Sequence, residues 1–226
     1  MRSVRARYDG HSDWYDARFG AFDTDEEQAF LRRGLGAGRG EMCLDVGCGT
    51  GRFGRAIGDA GYRAVGFDIS ADQLRLARAR LAAAVRADAG RLPVRDDAVD
   101  AAAGMFVHTD VADFAAVARE VARCLRPAGR FVYIGTHPCF VGPFIDRTAE
   151  ERDRRLSVVG GYGSTGWASR GSGDGSGIGG RVGFHHKTLA SFLGSFTGAG
   201  LDIREIAEFP GQGVVPWNLG LLAIKA

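Results

Sequence analysis

Short apolar runs and amphipathic stretches take turns along the middle of this chain, an order that predicts strands alternating with helices from 42 to 135. Ahead of them, a stretch bearing Tyr8, Trp14, Tyr15 and Phe19 reads as a short amphipathic helix. A second helix is expected from near Thr24, where Thr24 and Glu27 have capping-box spacing, to the glycine-rich run Gly34–Gly40. Then come a strand over Met42–Val46, a glycine loop, a helix over roughly 52–60 stopped by Gly61, and a strand over Arg63–Asp68. Ser70 caps the next helix, with Gln73 at the capping-box position, and the helix runs through Leu74, Leu76, Ala77 and Leu81. Strands near 84–87 and 98–104, a helix over 111–124, the turn Pro127-Ala-Gly129 and a buried strand over Phe131–Ile134 complete the series. Such alternation is the signature of a parallel, doubly wound sheet.

Residues 136–183 break the rhythm. Between Gly160 and Gly183, 11 of 24 residues are glycine, with Ser and Thr interspersed. Two readings fit: a flexible surface loop, or a lid that binds an acceptor, since the segment follows a central strand where open α/β sheets place their ligands. A helix over 187–199, Gly200, a strand over 201–208 and an apolar strand over 215–224 close the chain. We divide a single domain into an N-terminal helical lid (1–39), a core (40–135), the insert (136–183) and a C-terminal helix with strands (184–226).

Composition narrows the classes. A chain of 226 residues with 45% hydrophobic and 25% charged positions suits one soluble domain with a sizeable core. A net charge of +2 demands no polyanionic partner, and Arg2, Arg5 and Arg7 form only a weak basic arm. Cys43, Cys48, Cys124 and Cys139 show no metal or disulfide spacing, and no apolar run approaches membrane-spanning length, so a reducing cytoplasm is expected.

The chemistry concentrates in Leu44-Asp-Val-Gly-Cys-Gly-Thr-Gly51. A glycine turn between strand and helix admits a ligand close to the backbone, and its usual guest is a phosphate. Gly49-Thr-Gly-Arg-Phe-Gly54 does match G-x-G-x-x-G, with Asp68 19 residues beyond Gly49, so a dinucleotide enzyme is a rival reading. Asp45 argues against it: closing the strand two residues before Gly47, it would repel a phosphate and attract a cation. A nucleoside joined to an amino acid fits better. Asp45 favours an ammonium or sulfonium, and the backbone of Gly47, Gly49 and Gly51 accommodates the amino-acid portion. Asp68 can accept both ribose hydroxyls, Asp88 an adenine amino group, and the amide of Ala89 can meet a ring nitrogen. That ligand is S-adenosylmethionine.

With these residues in place the chain resembles the class I S-adenosylmethionine-dependent methyltransferases of the small-molecule type. Leu44–Gly51 matches that family's first motif, Gly66-Phe-Asp-Ile-Ser70 its ribose motif, and Ala87-Asp88 its adenine motif. Val99-Asp100, Phe106-Val-His108 and Leu125-Arg-Pro-Ala-Gly-Arg-Phe131 resemble the fourth strand, its exit and the turn into the fifth, although the family usually has two glycines where this chain has Ala128-Gly129. The resemblance implies a Rossmann-like, seven-stranded, mostly parallel sheet with helices on both faces and an antiparallel C-terminal strand. It adds Ile69 to the cofactor contacts, and Tyr15, in an N-terminal lid, at the methionine end.

The implied reaction moves a methyl group to an oxygen, less readily a nitrogen, of a small metabolite, in a biosynthetic role within secondary metabolism. Two alternatives stay open: a relative that keeps the cofactor but catalyses cyclisation or rearrangement, and a non-catalytic partner subunit. A general base helps only when the acceptor carries a proton. His186 resembles a histidine that such enzymes place beside the acceptor; His137 and then His108 follow as further candidates, each equally a cap or packing residue. Phe140, Phe144, Tyr162, Trp167 and Phe184 either line an acceptor pocket or pack a core. Without an Asn/Asp-Pro-Pro-aromatic run after the fourth strand and without a basic stripe, the expected partner is a small molecule rather than nucleic acid or membrane. No metal site is expected, and the chain is expected as a monomer or homodimer.

Overall fold

The computed structural model describes residues 7–19, 24–146, 155–168, 178–210 and 215–226. Arg2 and Arg5 of the basic arm, and 147–154 and 169–177 of the insert, lie outside the described residues. Helices α1 (Ser12–Phe19) and α2 (Asp25–Leu35) lead into β1 (Met42–Val46), α3 (Gly54–Asp59), β2 (Arg63–Asp68), α4 (Ala71–Ala77) and β3 (Ala83–Arg86). Then follow β4 (Val99–Met105), α5 (Phe114–Cys124) and β5 (Leu125–Thr136). The insert holds β6 (Ile145–Asp146), β7 (Ser157–Val158), β8 (Gly166–Ala168) and α6 (Ile178–Val182), and β9 (Phe184–His186) follows directly after it. The chain ends in α7 (Leu189–Thr197), β10 (Leu201–Pro210) and β11 (Pro216–Lys225).

Seven strands make the main sheet in the order β10-β11-β5-β4-β1-β2-β3. Every pairing from β3 to β5 is parallel, and β11 runs antiparallel to both β5 and β10. This is the expected Rossmann-like sheet with its antiparallel C-terminal strand. Strand alternation sends successive side chains to opposite faces. Ala102, Phe131 and Tyr133 pack with Phe114 of α5 and Phe192 and Phe196 of α7. Ala101, Ala103, Val132 and Ile134 pack on the other face with Phe30, Leu31, Ile57 and Leu74 from α2, α3 and α4. Strand order reverses across β1 and β4, which opens a crevice beyond their carboxyl ends.

Local chemistry sets the element ends. Thr24 and Glu27 form the capping box at α2, and Ser70 caps α4 by accepting from the Gln73 amide. The helix after Ser70 stops at Ala77 rather than reaching Leu81, yet Leu81 stays buried beneath the glycine loop. The helix expected over 111–124 starts only at Phe114, because Asp113 caps it and Val107–Thr109 winds as a 3₁₀ turn. The strand expected over Phe131–Ile134 extends over the whole of Leu125–Thr136 and takes in the Pro-Ala-Gly turn, where Ala128 adopts φ +62° and the register with β4 shifts. Instead of one loop, the insert forms two small antiparallel ribbons, β6 with β7 and β8 with β9. No described helix is long and apolar enough to cross a membrane.

Candidate functional site

A cavity of about 1160 Å³ opens at the carboxyl ends of β1, β2, β3 and β4, with Tyr8 and Tyr15 on its wall from the N-terminal segment. The glycine loop forms its floor. Gly47, Gly49 and Gly51 all adopt left-handed conformations, with φ of +69°, +53° and +74°. Their amides are already engaged within the protein: Gly47 donates to the Phe67 carbonyl at 2.8 Å, Gly51 to the Cys48 carbonyl at 2.8 Å, and Gly49 to Asp68 Oδ2 at 2.9 Å. A phosphate cradle needs those N–H groups turned outward; here glycine supplies close approach instead. A Cβ built on Gly49 would come within 4 Å only of Gln73 Oε1, so this residue faces the cavity. Gly51 lies behind the wall, where a Cβ would press on Leu81 and Ala77, and Gly47 is pinned from behind by Val107.

Asp45, at the end of β1, is fully buried and flanked in register by Gly66 and Ala103. Neither carboxylate oxygen has a hydrogen-bond partner among the described residues. Burial, reinforced by the nearby Asp68 charge and opposed by Arg52, raises its carboxyl to about 7. A buried carboxylate with both oxygens orphaned is a site that wants a cationic donor. Asp68 is half-buried and accepts from the amides of Gly49 and Ser70, at 2.9 and 2.8 Å, one on each oxygen. Each oxygen keeps acceptor capacity for a further donor. Burial raises its carboxyl above the usual range, and the three backbone amides of Ser70, Gly49 and Ile69 oppose that rise. Asp88, exposed at the rim, accepts from the Gly90 amide at 2.9 Å, and Ile69 and Ala89 stand on the same wall.

The structure thus brings Tyr15, Gly47, Gly49, Asp68, Ile69, Asp88 and Ala89 to one cavity, with Asp45 just behind its floor. The histidines stand elsewhere. His137 is buried against Glu208, 2.9 Å from Nε2, and its Nδ1 accepts from the Cys139 amide at 3.1 Å. His186 donates from Nε2 to the Tyr162 carbonyl at 2.7 Å and packs on Phe144 and Tyr162. Neither ring is among the residues lining the cavity, and burial lowers the basicity of both. His108 is locked in the core against Tyr133 and Phe192, its imidazole pushed down to about 3 by burial and by Lys187. Phe140 packs on His137, Phe144 and Tyr162 on each other and on His186, and Trp167 on His185, and none of these, nor Phe184, lines the cavity.

Two wall residues, Phe106 and Asp110, are not among the sequence-derived site candidates. Phe106 sits at φ +62° directly after β4, a strained position for an aromatic, and stacks on Phe53 with Arg52 over both rings. Asp110 follows the 3₁₀ turn and accepts from the Tyr8 hydroxyl at 3.2 Å. Only the dihedral, the turn and the fold of the N-terminal segment reveal these contacts.

Comparison with known proteins gives this cavity a context. Residues 44–133 match the family described as "Methyltransferase domain". A demethylmenaquinone methyltransferase of Mycolicibacterium paratuberculosis is 34% identical over 134 residues, which is 58% of each chain. One from Tropheryma whipplei is 37% identical over 116 residues, 49% of this chain and 48% of its own. The match therefore spans about half the length of these curated relatives. Among solved structures, an S-adenosylmethionine-dependent methyltransferase from Mesorhizobium loti superposes with a TM-score of 0.71 at 25% identity, covering 90% of this chain and 99% of that one. A geranyl diphosphate methyltransferase in complex with sinefungin shares the fold, with a TM-score of 0.64 at 16% identity over 99% of this chain and 88% of that one.

Proposed function

We propose that this chain, whose residues 44–133 match a methyltransferase domain, is a class I S-adenosylmethionine-dependent methyltransferase that moves a methyl group to an oxygen of a small metabolite. The observation that carries the reading is the glycine loop whose amides point inward while Asp45 lies orphaned beneath it. Such a floor suits an organic cation and not a pyrophosphate. In this reading Asp45 attracts the ammonium or sulfonium side of S-adenosylmethionine, and Gly47 and Gly49 allow the methionine portion against the backbone. Asp68 accepts from the ribose hydroxyls, with Ile69 beside it. Asp88 and the Ala89 amide read the adenine, and Tyr15 closes the methionine end. Once bound, the cofactor supplies the activated methyl carbon; the protein aligns the acceptor and excludes water.

The small-molecule class is supported by the names of the relatives, demethylmenaquinone and geranyl diphosphate methyltransferases. Nitrogen is the second choice of acceptor atom. We assign the reaction to secondary metabolism, on the strength of an insert that departs from the common core, and to the cytoplasm, which suits four free cysteines. A monomer or homodimer is the expected form.

Calorimetry tests the donor: S-adenosylmethionine and S-adenosylhomocysteine bind and NADH does not. Binding of NADH alone would overturn the assignment. Deleting the gene in its host tests the rest, the expected result being a metabolite one methylene lighter at a hydroxyl position. A missing cyclised or rearranged product, with no loss of S-adenosylhomocysteine formation, would point instead to a relative that performs other chemistry.

A further inference from the structure

We propose that Asp110 is the carboxylate that takes the acceptor's proton as the methyl group moves. The inference rests on the methyltransferase reading above and names a residue that reading leaves open, since the candidate histidines lie away from the cavity.

Position comes first. Val107 packs directly behind Gly47, where a Cβ on the glycine would lie 2.6 Å from Val107 Cγ2. Residues three apart in a 3₁₀ turn lie above one another, and Asp110 is three beyond Val107, with its amide donating to the Val107 carbonyl at 3.1 Å. The Asp110 carboxyl therefore shares the cavity wall with Gly47 and Gly49, the glycines that the reading above sets against the methionine portion. It is held there from both sides: Lys187 Nζ donates to the carbonyls of His108 and Val111, at 2.8 and 2.6 Å, which fixes the backbone on either flank. Oδ1 accepts from Tyr8, leaving Oδ2 for a substrate hydroxyl.

Environment comes second. The groups that face Asp110 are Tyr8 from the N-terminal segment, Asp68 from the end of β2, Tyr133 from β5 and Lys187 from the segment after β9. Burial and Asp68 raise its carboxyl to about 8, against the smaller opposing effects of Tyr8 and Lys187. A carboxyl that titrates near working pH is the best-matched proton acceptor. In the balanced step the acceptor O–H bond breaks and its proton passes to Oδ2. An O–CH₃ bond forms, the S–CH₃ bond breaks, and the sulfonium charge and the carboxylate charge disappear together.

A cation placed beside Asp110 lowers its carboxyl, so binding the sulfonium expels a proton that the neutral thioether does not. Calorimetry of the full chain at pH 7.5, in buffers of different ionisation enthalpy, reads this directly. S-adenosylmethionine should release about half a proton more than S-adenosylhomocysteine. The comparison is made in the Asp45→Asn background at saturating ligand, which removes the other carboxyl titrating near this pH. Asp110→Asn should abolish the difference there, and Tyr8→Phe should keep it. Equal proton release by the two ligands in Asp45→Asn, or a difference that persists once Asp110→Asn is added, would reduce Asp110 to a latch for Tyr8 and overturn the inference. The comparison of the two ligands in Asp45→Asn decides the matter even where Asp110→Asn folds poorly. If neither ligand binds the wild-type protein, the methyltransferase reading falls, and this inference with it.

Discussion

Asp68 holds two backbone amides and, in the proposed complex, a ribose as well, so its replacement damages both loop and ligand. Hydrogen bonds to a charged acceptor contribute about 1.5–3 kcal/mol each. Asp68→Ala is expected to weaken S-adenosylhomocysteine binding by about a hundredfold, as measured by calorimetry. His186 makes the opposite case. Its ring is buried between Phe144 and Tyr162 and donates to a carbonyl, so His186→Ala should cost about 2–4 kcal/mol of stability. Turnover measured well below melting should stay within a few-fold; a collapse of turnover in fully folded protein would return His186 to the chemistry. At this scale the placement of Asp45, Asp68 and Asp88 at one edge of the sheet was legible because each stands at or just beyond a strand end, and strand ends are visible as hydrophobic runs meeting Gly, Ser or Asp. Asp110 was not legible. Its role depends on a 3₁₀ turn and on where the Tyr8 hydroxyl folds back, neither of which leaves a pattern in the neighbouring residues.

Ala128 shows what an element can conceal. The Pro-Ala-Gly stretch reads as a turn between helix and strand, yet it lies within β5 as a bulge that shifts register against β4. A left-handed conformation costs an L residue about 1–2 kcal/mol, part of which glycine returns through its looser unfolded chain. Ala128→Gly should therefore stabilise by up to about 1 kcal/mol, raising the melting temperature by about 2–4 °C, and a scanning-calorimetry trace with no rise would show the bulge to be unstrained. The capped helices were readable from Thr24 and Ser70, whose side chains satisfy the first-turn amides as the spacing implies. The two ribbons of the insert were not, because a glycine- and serine-rich composition carries no alternation from which pairing can be read. What gives them substance is packing of Phe144, Tyr162 and His186 on one another.

Across the whole molecule, ligand-free stability and cofactor binding pull against each other through buried acid. The folded protein keeps the proton of Asp45 up to about pH 7, whereas the unfolded chain releases it near the ordinary carboxylate value of 3.8. The native state thus binds more protons across that window, and stability falls as pH rises through it. Ionising Asp45 in place costs on the order of 4 kcal/mol over the whole window, of which about 1 kcal/mol falls between pH 6 and pH 8, so the ligand-free protein should melt lower at pH 8 than at pH 6. Asp45→Asn should remove its share of that slope, leaving the share of Asp110, and lose cofactor affinity as well. The N-terminal segment is fastened in a different way. Asp9 accepts from Ser70, Asp13 pairs with Arg75, Asp16 pairs with Arg80, and Gly10 donates to Asp72, while only Ser12 of α1 is buried. A cover held by charge rather than by oil lifts without wetting a core, and salt loosens it. Raising ionic strength should then speed the escape of S-adenosylhomocysteine, as stopped-flow displacement would record. The enzyme's traffic in spent cofactor would answer to the electrolyte around it, while its sheet stays indifferent.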